Sequence, residues 1–461
     1  MYKLKTLGNA RSVHFIGIGG VSMIALARML AAEGYTVSGS DQKDFAGREG
    51  LQKCGIAVSI GHAAENLPEN CDIVVYNSAV PADNPEFAHA KSRGIRLMAR
   101  AALLGAAMRG YPCPICVAGT HGKTSTTSML AAIFLDAGQN PMVHSGGILP
   151  KIGSTLHLGA PPYFIAESCE YFENFLQLFP KIGIILNMDY DHADFYPDFT
   201  AMRNSFRRFA ELIPSDGALV INANIPDLEN FIAGLDCRVI TFGAGGEFEA
   251  QDIRNMENMR CVFELTRSRR HLGDISMGVI GAHNVENALA AIACAHFCGL
   301  SIQQIDKGLA GYEGCVRRFQ KLGEYRGCPV IDDYAHHPTE IAASIAAAKT
   351  LSPRRVVTIF QPHTRTRTAE FLTDFAKSLA TADIPIVLDI YEPIGREEHD
   401  CQIHAKDLAA AINKAGRQSL YLPTFAAAAD HLDKIITKGD LIITMGAGDV
   451  YKLGNMFVAN L

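Results

Sequence analysis

The residues best suited to chemistry form a short glycine-containing loop, Gly119 to Thr124, of sequence Gly-Thr-His-Gly-Lys-Thr. An apolar run at 114–118 precedes this loop, and a helical pattern follows it. Backbone N–H groups at a helix start can bind nucleotide phosphates, Lys123 can reach the β- and γ-phosphate oxygens, and Thr124 can bind Mg²⁺. Val117 stands where the usual pattern has its first glycine, so the loop is a shortened variant. We predict a nucleoside triphosphate site here, the alternative being a glycine turn with an incidental lysine.

A second glycine loop, near the N-terminus, contains Gly17, Gly19 and Gly20 and follows an apolar run. Its pattern is similar to the dinucleotide fingerprint, but Ser22 replaces the third glycine. Asp41 follows the next predicted strand at a separation suited to a ribose contact. Taken alone, these residues are compatible with a dinucleotide, with another diphosphate nucleotide or with a tight turn.

The elements that must position both loops alternate between strand and helix along the whole chain. A length of 461 residues suggests about three domains. Glycine-bearing interruptions near 110 and 311–314 divide the pattern accordingly. We predict an α/β fold with a Rossmann-like domain at 1–110, a central P-loop ATPase-like domain with a mixed sheet at 111–313, and a Rossmann-like domain at 314–461.

The composition excludes several classes of protein. Apolar residues make up 48% and charged residues 20%, as in ordinary globular proteins, and the net charge of −6 gives no basic footprint for nucleic acid. Twelve cysteines without an export signal indicate reduced thiols, and the pair Cys113 and Cys116 lacks the second pair that a zinc site needs. No uninterrupted run of 18 apolar residues occurs. We expect a cytoplasmic protein with neither a nucleic-acid nor a membrane partner.

Motifs in all three predicted domains resemble those of the Mur ligases. The segments that carry this resemblance are Ala118 to Thr127, Gly281 to Ala288, Asp332 to Glu340, His14 to Gly20, Phe360 to His363 and Met445 to Asp449. The last three look like those of the members that add L-alanine. The resemblance implies ATP-dependent ligation of L-alanine to the lactyl carboxylate of UDP-N-acetylmuramate through an acyl phosphate, a step of peptidoglycan synthesis. It implies ATP as co-substrate, one or two Mg²⁺ ions, and a monomer or homodimer.

Residues for ATP and metal follow from position and from this resemblance. The ATP site would comprise the loop and a few later residues: Gly119, Thr120, Gly122, Lys123, Thr124, Ser125, His283, Asn284, Asn287 and Arg318. Glu167 and His192 follow strands at the edge where α/β sites form. The family places one magnesium between Thr124 and Glu167 and a second at His192. Glu170 is an alternative ligand in this chain, because the stretch from Glu167 to Glu170 departs from the more acidic version frequent in the family. A surface ion pair for Glu167 and a helix-capping role for His192 remain open.

The remaining site residues are implied by the resemblance. The UDP-sugar site would comprise Gly17, Gly19, Gly20, Ser40, Asp41, His62, Ser78 and Arg100. The amino-acid site would comprise Tyr334, His336 and Arg367, and the catalytic residues would be Lys123, His192, His336 and Arg367. The family often has arginine and tyrosine where this chain has Thr364 and Arg365. Arg367 is therefore assigned, and compensation by Arg365 for the missing neighbour remains open.

Three other functions are compatible with parts of the pattern. They are a recycling ligase that attaches a preformed peptide to UDP-N-acetylmuramate, the more distant folylpolyglutamate synthetase, and a non-catalytic nucleotide-binding regulator of wall synthesis. The regulator predicts a lost lysine or metal ligand, yet Lys123, Thr124, Glu167 and His192 are all present.

One feature of several Mur ligases is missing from this chain. Those members carry a carbamylated lysine about fifteen residues after the metal-binding histidine. Here that spacing reaches Arg207 and Arg208, and no lysine occurs between Lys181 and Lys307. This departure from the family pattern predicts an enzyme without the carbamate.

Overall fold

The computed structural model describes residues 7–256, 259–392 and 401–459. The chain forms two compact units. The first comprises the chain up to Asp252 together with Phe263–Ser276 and Glu286–Tyr312, and the second comprises Ile253–Val262, Met277–Val285 and the chain from Glu313 onward. The predicted three-domain α/β class is confirmed, whereas the boundaries 1–110, 111–313 and 314–461 stay a prediction.

The first sheet has five parallel strands in the order β3-β2-β1-β4-β5. Its elements are β1 (Ser12–Ile16), α1 (Val21–Ala32), β2 (Thr36–Asp41), α2 (Arg48–Lys53), β3 (Ala57–Ile60), β4 (Ile73–Tyr76), α3 (Pro85–Ser92), β5 (Arg96–Ala99) and α4 (Arg100–Met108). Strand β1 is buried along its whole length because strands flank it on both edges and helices cover the faces. The strand order reverses beside β1, so ligand-binding crevices of this fold form where β1 ends.

The second sheet has ten strands in the order β15-β14-β13-β12-β11-β10-β6-β9-β7-β8. Its first elements are β6 (Cys113–Ala118), α5 (Lys123–Asp136), β7 (Met142–Leu149), β8 (Ser154–His157), β9 (Tyr163–Glu167), β10 (Ile182–Ile185), α6 (Phe199–Ala210), β11 (Ala218–Asn222) and α7 (Leu228–Ile232). The remaining ones are β12 (Arg238–Phe242), β13 (Phe248–Met256), β14 (Arg260–Arg267), β15 (Arg270–Met277), α8 (Ala282–Phe297) and α9 (Ile302–Ala310). Strand β6 pairs in parallel with β9 and β10, whereas β7 and β8 are antiparallel, so the sheet is mixed as predicted.

The third sheet has six strands in the order β16-β17-β21-β18-β19-β20. Its elements are β16 (Gln320–Tyr325), β17 (Cys328–Asp333), α10 (Pro338–Thr350), β18 (Val356–Phe360), α11 (Arg365–Glu370), α12 (Leu372–Leu379), β19 (Ile384–Val387), α13 (Ala405–Lys414), β20 (Leu420–Tyr421), α14 (Phe425–Ile435), β21 (Leu441–Met445) and α15 (Tyr451–Ala459). Among the described strands of this sheet, only the edge strand β16 is antiparallel to its neighbour. Among the described residues, no helix has both the length and the apolar character that crossing a bilayer requires.

Candidate active site

The predicted nucleotide loop joins the buried strand β6 to helix α5. Gly122 immediately precedes this helix with a φ of 79°, a left-handed conformation that favours glycine. A Cβ atom at Gly122 would lie 2.3 Å from Oδ1 of Asn287 on α8. The structure therefore brings Asn287, predicted for the ATP site, against the loop, and the close approach requires a residue without a side chain.

Lys123 is held at the first position of α5 by four oxygen atoms. Its Nζ donates to the backbone carbonyls of Gly119, at 2.5 Å, and Thr120, at 3.0 Å, and it lies 2.9 and 3.1 Å from the two carboxylate oxygens of Glu170. Burial by itself would lower the pKa of Lys123, but the carboxylate of Glu170 outweighs burial and the pKa is raised. The ammonium group therefore stays charged beside the helix N-terminus, where phosphate binding needs a cation.

Thr124 and Glu167 supply a pair of oxygen ligands beside the loop. The Thr124 hydroxyl donates to Oε2 of Glu167 over 2.9 Å, and the Gly146 N–H donates to the same oxygen over 2.8 Å. Hydroxyl and carboxylate oxygens are the ligands that Mg²⁺ prefers. The chemistry of these donors thus fits the predicted magnesium site.

Glu170 joins Lys123 to His192. This carboxylate is 1% exposed, and its Oε1 lies 3.4 Å from Nε2 of His192. Burial would raise the pKa of Glu170, but Lys123 and His192 together lower it. His192 has a φ of 58°, and its ring stacks on Tyr171 at a centroid distance of 4.4 Å. Glu170 is therefore placed to orient both Lys123 and His192, while Glu167 lies beside Thr124.

The N-terminal glycine loop borders a cavity of about 690 Å³ at the end of β1. Its lining includes Gly17, Gly19, Gly20, Asp41, His62 and Asn77. A Cβ atom at Gly19 would lie 2.7 Å from the Phe45 ring, so the loop needs glycine at this position. The Gly19 N–H donates to the Asp41 carboxylate over 2.8 Å. Most of the predicted UDP-sugar residues therefore share one cavity.

Three predicted UDP-sugar residues lie outside this lining. Ser40 is fully buried behind it, and Ser78 is exposed in the segment after β4. Arg100, at the start of α4, donates to the Ser22 hydroxyl over 2.9 Å, and that hydroxyl lies 2.9 Å from Nε2 of buried His144. Arg100 thus contacts Ser22 beside the glycine loop, and the roles of all three residues stay predictions.

The second unit collects the predicted amino-acid residues where β17 ends. His336 Nδ1 lies 3.0 Å from the Tyr334 carbonyl oxygen and 3.3 Å from Glu340. Arg318 forms an ion pair with Glu340 at 3.6 Å, and its guanidinium lies 5.0 Å from the centre of the Tyr334 ring. Tyr334, His336 and Arg318 therefore form one cluster.

The neighbouring arginines of this unit differ in their surroundings. Arg317 lies between the rings of Tyr334 and Tyr451 and forms an ion pair with Asp332 at 3.3 Å, which is a structural role. Arg365 forms an ion pair with Glu392 at 2.6 Å. Arg367 lies two positions further along α11 and is half-buried.

The first turns of α8 carry His283 and Asn284. Asn284 lies inside the helix and donates from Nδ2 to the Ile280 carbonyl over 2.8 Å, so it is not the helix N-cap. Burial lowers the pKa of His283 to about 4. Its ring is therefore neutral at pH 7.

Two residues that build the site gave no sequence signal of their own. Gly146 lies in β7 and supplies its N–H to Glu167. Glu86 follows Asn84 and Pro85 at the start of α3, where an acidic residue is ordinarily explained by the helix dipole. Its position behind the N-terminal cavity depends on packing and could not be inferred from spacing.

Comparison with known proteins covers nearly the whole chain. Family profiles described as "Mur ligase family, catalytic domain", "Mur ligase middle domain" and "Mur ligase, glutamate ligase domain" match residues 12–112, 117–295 and 317–448. UDP-N-acetylmuramate–L-alanine ligase of Acetivibrio thermocellus is 43% identical over 451 residues, 97% of this chain and 96% of that protein. The protein of the same name from Lachnospira eligens is 43% identical over 457 residues, 98% and 99% of the two chains.

Solved structures are similar over the same extent. UDP-N-acetylmuramate–alanine ligase from Thermotoga maritima matches with a TM-score of 0.81 and 27% identity, covering 97% of this chain and 98% of that one. A murein peptide ligase from Psychrobacter arcticus matches with a TM-score of 0.71 and 25% identity over the same shares. Because the sequence profiles, the relatives and the folds agree from one end of the chain to the other, the chain belongs to the Mur ligase family.

Proposed function

We propose that this protein joins L-alanine to the lactyl carboxylate of UDP-N-acetylmuramate with conversion of ATP to ADP and phosphate. The observation that carries the proposal is the cluster of Lys123, Thr124, Glu167, Glu170 and His192 around one loop. The 43% identity to alanine-adding ligases over nearly the full chain supports the choice of amino acid and sugar nucleotide. Use of ATP as a substrate favours a cytoplasmic location.

The first step is phosphoryl transfer. A lactyl carboxylate oxygen attacks the γ-phosphorus of ATP, the bond to the β-phosphate oxygen breaks, and ADP leaves. Lys123 stabilises charge on the phosphates, and the loop N–H groups hold them in place. Thr124 and Glu167 would hold Mg²⁺, which when bound neutralises charge on the transferred phosphate. Glu170 keeps Lys123 and His192 oriented toward the reacting groups.

The second step is amide formation. The neutral amine of L-alanine attacks the acyl phosphate carbon and loses a proton, and the tetrahedral intermediate then expels inorganic phosphate as the C–O bond to the phosphate breaks. Tyr334, His336 and Arg367 of the second unit are assigned to the amino acid and to the charge that develops on the intermediate. Arg318 and the adenine-side residues His283, Asn284 and Asn287 are assigned to ATP.

The test is phosphate release with defined acceptors. Purified protein is mixed with ATP, Mg²⁺ and UDP-N-acetylmuramate, and then with single L-amino acids or with a preformed peptide. Release that depends on L-alanine supports the proposal. Release only with the peptide would indicate a recycling ligase, and release with neither would indicate a non-catalytic protein.

A lysine variant links the activity to the loop. Lys123→Ala should reduce phosphate release about 10²–10³-fold. It should leave binding of UDP-N-acetylmuramate nearly unchanged, because that ligand is assigned to the N-terminal cavity. Lys181→Ala, which removes an ion pair with exposed Asp216, is the matched control and should retain activity.

A further inference from the structure

A buried carboxylate lies behind the N-terminal cavity. Glu86, in the first turn of α3, has no exposed surface. Its Oε2 lies 3.0 Å from Nε2 of His14 and accepts the Ser40 hydroxyl over 2.6 Å. Its Oε1 accepts from Asn66 Nδ2 over 2.7 Å and from the Ala63 N–H over 3.2 Å. Elements distant in sequence therefore converge on this one side chain.

These contacts keep Glu86 ionised. Burial would raise the pKa of Glu86, but the hydrogen bonds from His14, Asn66 and Ser40 outweigh burial and lower the pKa to about 2. At neutral pH both oxygens of this carboxylate can only accept hydrogen bonds. Every partner must therefore point a hydrogen atom toward Glu86.

The direction of these bonds fixes a proton on His62. A serine hydroxyl has one hydrogen, and Ser40 gives it to Glu86 over 2.6 Å. The Ser40 oxygen lies 2.9 Å from Nδ1 of His62, and with its hydrogen already used it can only accept from that nitrogen. Oε1 of Glu86, 3.5 Å from the same Nδ1, is a second acceptor on that side. Nδ1 of His62 therefore carries a hydrogen.

The other ring nitrogen of His62, Nε2, is available to a ligand in the cavity. His62 lines the cavity with 20% of its side chain exposed. Its Nε2 has no hydrogen-bond partner within the part of the chain that the structure describes. This nitrogen is not fully buried, so a ligand can reach it. In a neutral imidazole with hydrogen on Nδ1, Nε2 is a bare acceptor.

We propose that Glu86 is a positioning residue that, through Ser40, holds the proton of His62 on Nδ1, so that neutral His62 presents a hydrogen-bond acceptor and selects a donor group of the ligand. This inference rests on the proposed function for the ligand's identity. UDP-N-acetylmuramate offers such donors in the uracil N–H, the hydroxyl groups and the acetamido N–H. Its ionised diphosphate offers none, so the diphosphate is not the partner of His62.

Charged groups surround His62 on several sides. Glu86 and His14 lie behind it, and Asp41, Lys43, Asp44 and Asp83 line the same cavity. The proposal concerns the position of the first proton, which Ser40 and Glu86 determine.

The tautomer can be measured directly in the intact protein. Nitrogen-15 NMR of histidine-labelled protein distinguishes hydrogen on Nδ1 from hydrogen on Nε2. We expect Nδ1–H for neutral His62, with the signal identified by its loss in His62→Gln. Nε2–H in the wild-type protein would overturn the proposal even if no variant of Glu86 folds.

A variant then tests the role of Glu86. In Glu86→Gln the amide can donate to Ser40, which frees the Ser40 hydrogen for Nδ1 and moves the His62 proton to Nε2. The KM for UDP-N-acetylmuramate should rise about tenfold while kcat changes less than about twofold. Asp72→Asn is the matched control, because Asp72 accepts from the Arg11 and Ser12 N–H groups away from the cavity. An unchanged tautomer or KM in folded Glu86→Gln contradicts the proposal.

The sign of the pH effect provides a third readout. If His62 accepts from the ligand, affinity for UDP-N-acetylmuramate should fall as the nitrogen-15 signal shows His62 gaining its second proton, and His62→Gln should lose this dependence. Affinity that rises on protonation would mean an anionic partner and would refute the inference. Failure to bind UDP-N-acetylmuramate at any pH would instead contradict the proposed function, while the tautomer in the free protein still decides the inference.

Discussion

Glu167 and Glu170 are three positions apart, yet their different environments indicate different roles. Glu167 accepts from Thr124 and Gly146, whereas Glu170 is surrounded by Lys123 and His192. A carboxylate already paired with a lysine and a histidine has less capacity for a metal than one that faces a hydroxyl. This difference favours Glu167 as the ligand for Mg²⁺ and gives Glu170 an orienting role.

Substitution of each glutamate should separate these roles. Glu167→Gln should raise the Mg²⁺ concentration needed for half-maximal phosphate release at least about tenfold. Glu170→Gln should lower kcat with little change in that concentration, because it disturbs Lys123 and His192. Magnesium titrations of the two variants at saturating substrates make the comparison. The reverse pattern would identify Glu170 as the ligand.

At the scale of elements, the turn between β6 and α5 depends on a close approach from α8. Gly122 combines a left-handed backbone with a 2.3 Å approach of the Asn287 side chain to its missing Cβ. Gly138, which follows α5, has a similar φ of 76° but no atom within 4 Å of the corresponding position. The two glycines therefore share a left-handed backbone conformation and differ in crowding.

Substitution of each glycine by alanine should reveal this difference in crowding. Both substitutions incur the left-handed strain of about 1–2 kcal/mol. We expect Gly122→Ala to lose about 1–3 kcal/mol more than Gly138→Ala, because the new methyl group displaces Asn287. Chemical denaturation measures the stability, and ATP binding should weaken only in Gly122→Ala. Equal losses in the two variants would count against the role of crowding.

Helix α6 carries arginines where several family members have the modified lysine. Arg207 forms an ion pair with Glu211 at 2.8 Å and donates to the Ala233 carbonyl at 2.8 Å. Arg208 forms an ion pair with Glu173 at 2.8 Å. A guanidinium stays protonated and has no free amine to react with CO₂. Both arginines therefore have structural partners and cannot become carbamates.

Turnover should accordingly be independent of bicarbonate. We expect CO₂-depleted protein to release phosphate at the same rate with and without added bicarbonate, at constant pH and Mg²⁺ concentration. Intact-mass measurement should show no carbamate increment. A clear rise in rate on adding bicarbonate would refute the prediction.

At the scale of the whole molecule, buried histidines make folding sensitive to acid. Burial, with a smaller contribution from Arg100, lowers the pKa of His144 to about 4 in the first unit. In the second unit, burial lowers the pKa of His283 to about 4 but raises that of Asp333 to about 6. A histidine that stays neutral when folded destabilises the native state as pH falls below its ordinary pKa, whereas the protonation of Asp333 has the opposite sign. Within the second unit the effects of His283 and Asp333 on stability therefore oppose each other.

Removing the titration of His144 should reduce this sensitivity. The unfolded state gains a proton on His144 below about pH 6.5, while the folded state resists it down to about pH 4. His144→Gln keeps a partner for Ser22 and should lose up to about 3 kcal/mol less stability between those pH values. Denaturation at several pH values tests this, with His157→Gln as the control at a half-exposed histidine. Parallel pH profiles for wild type and His144→Gln would contradict it.

The sequence by itself determined the local features of this protein. The strand before Gly119, the helix after that loop and the N-terminal glycine loop follow from hydrophobic periodicity and glycine placement, which depend on near neighbours. The order of motifs along the chain also determined the family. These features could be predicted because the residues that specify them are adjacent in sequence.

Tertiary structure decided which distant side chains meet. Ser22 and His144 are 122 positions apart, His14 and Glu86 are 72 apart, and neither pair has a spacing pattern. The position of Arg100 beside Ser22 and the partners of Glu170 likewise depend on how strands order themselves in the sheets. Such contacts are specified by packing of whole elements, because a buried charge must find its partners wherever the fold brings them.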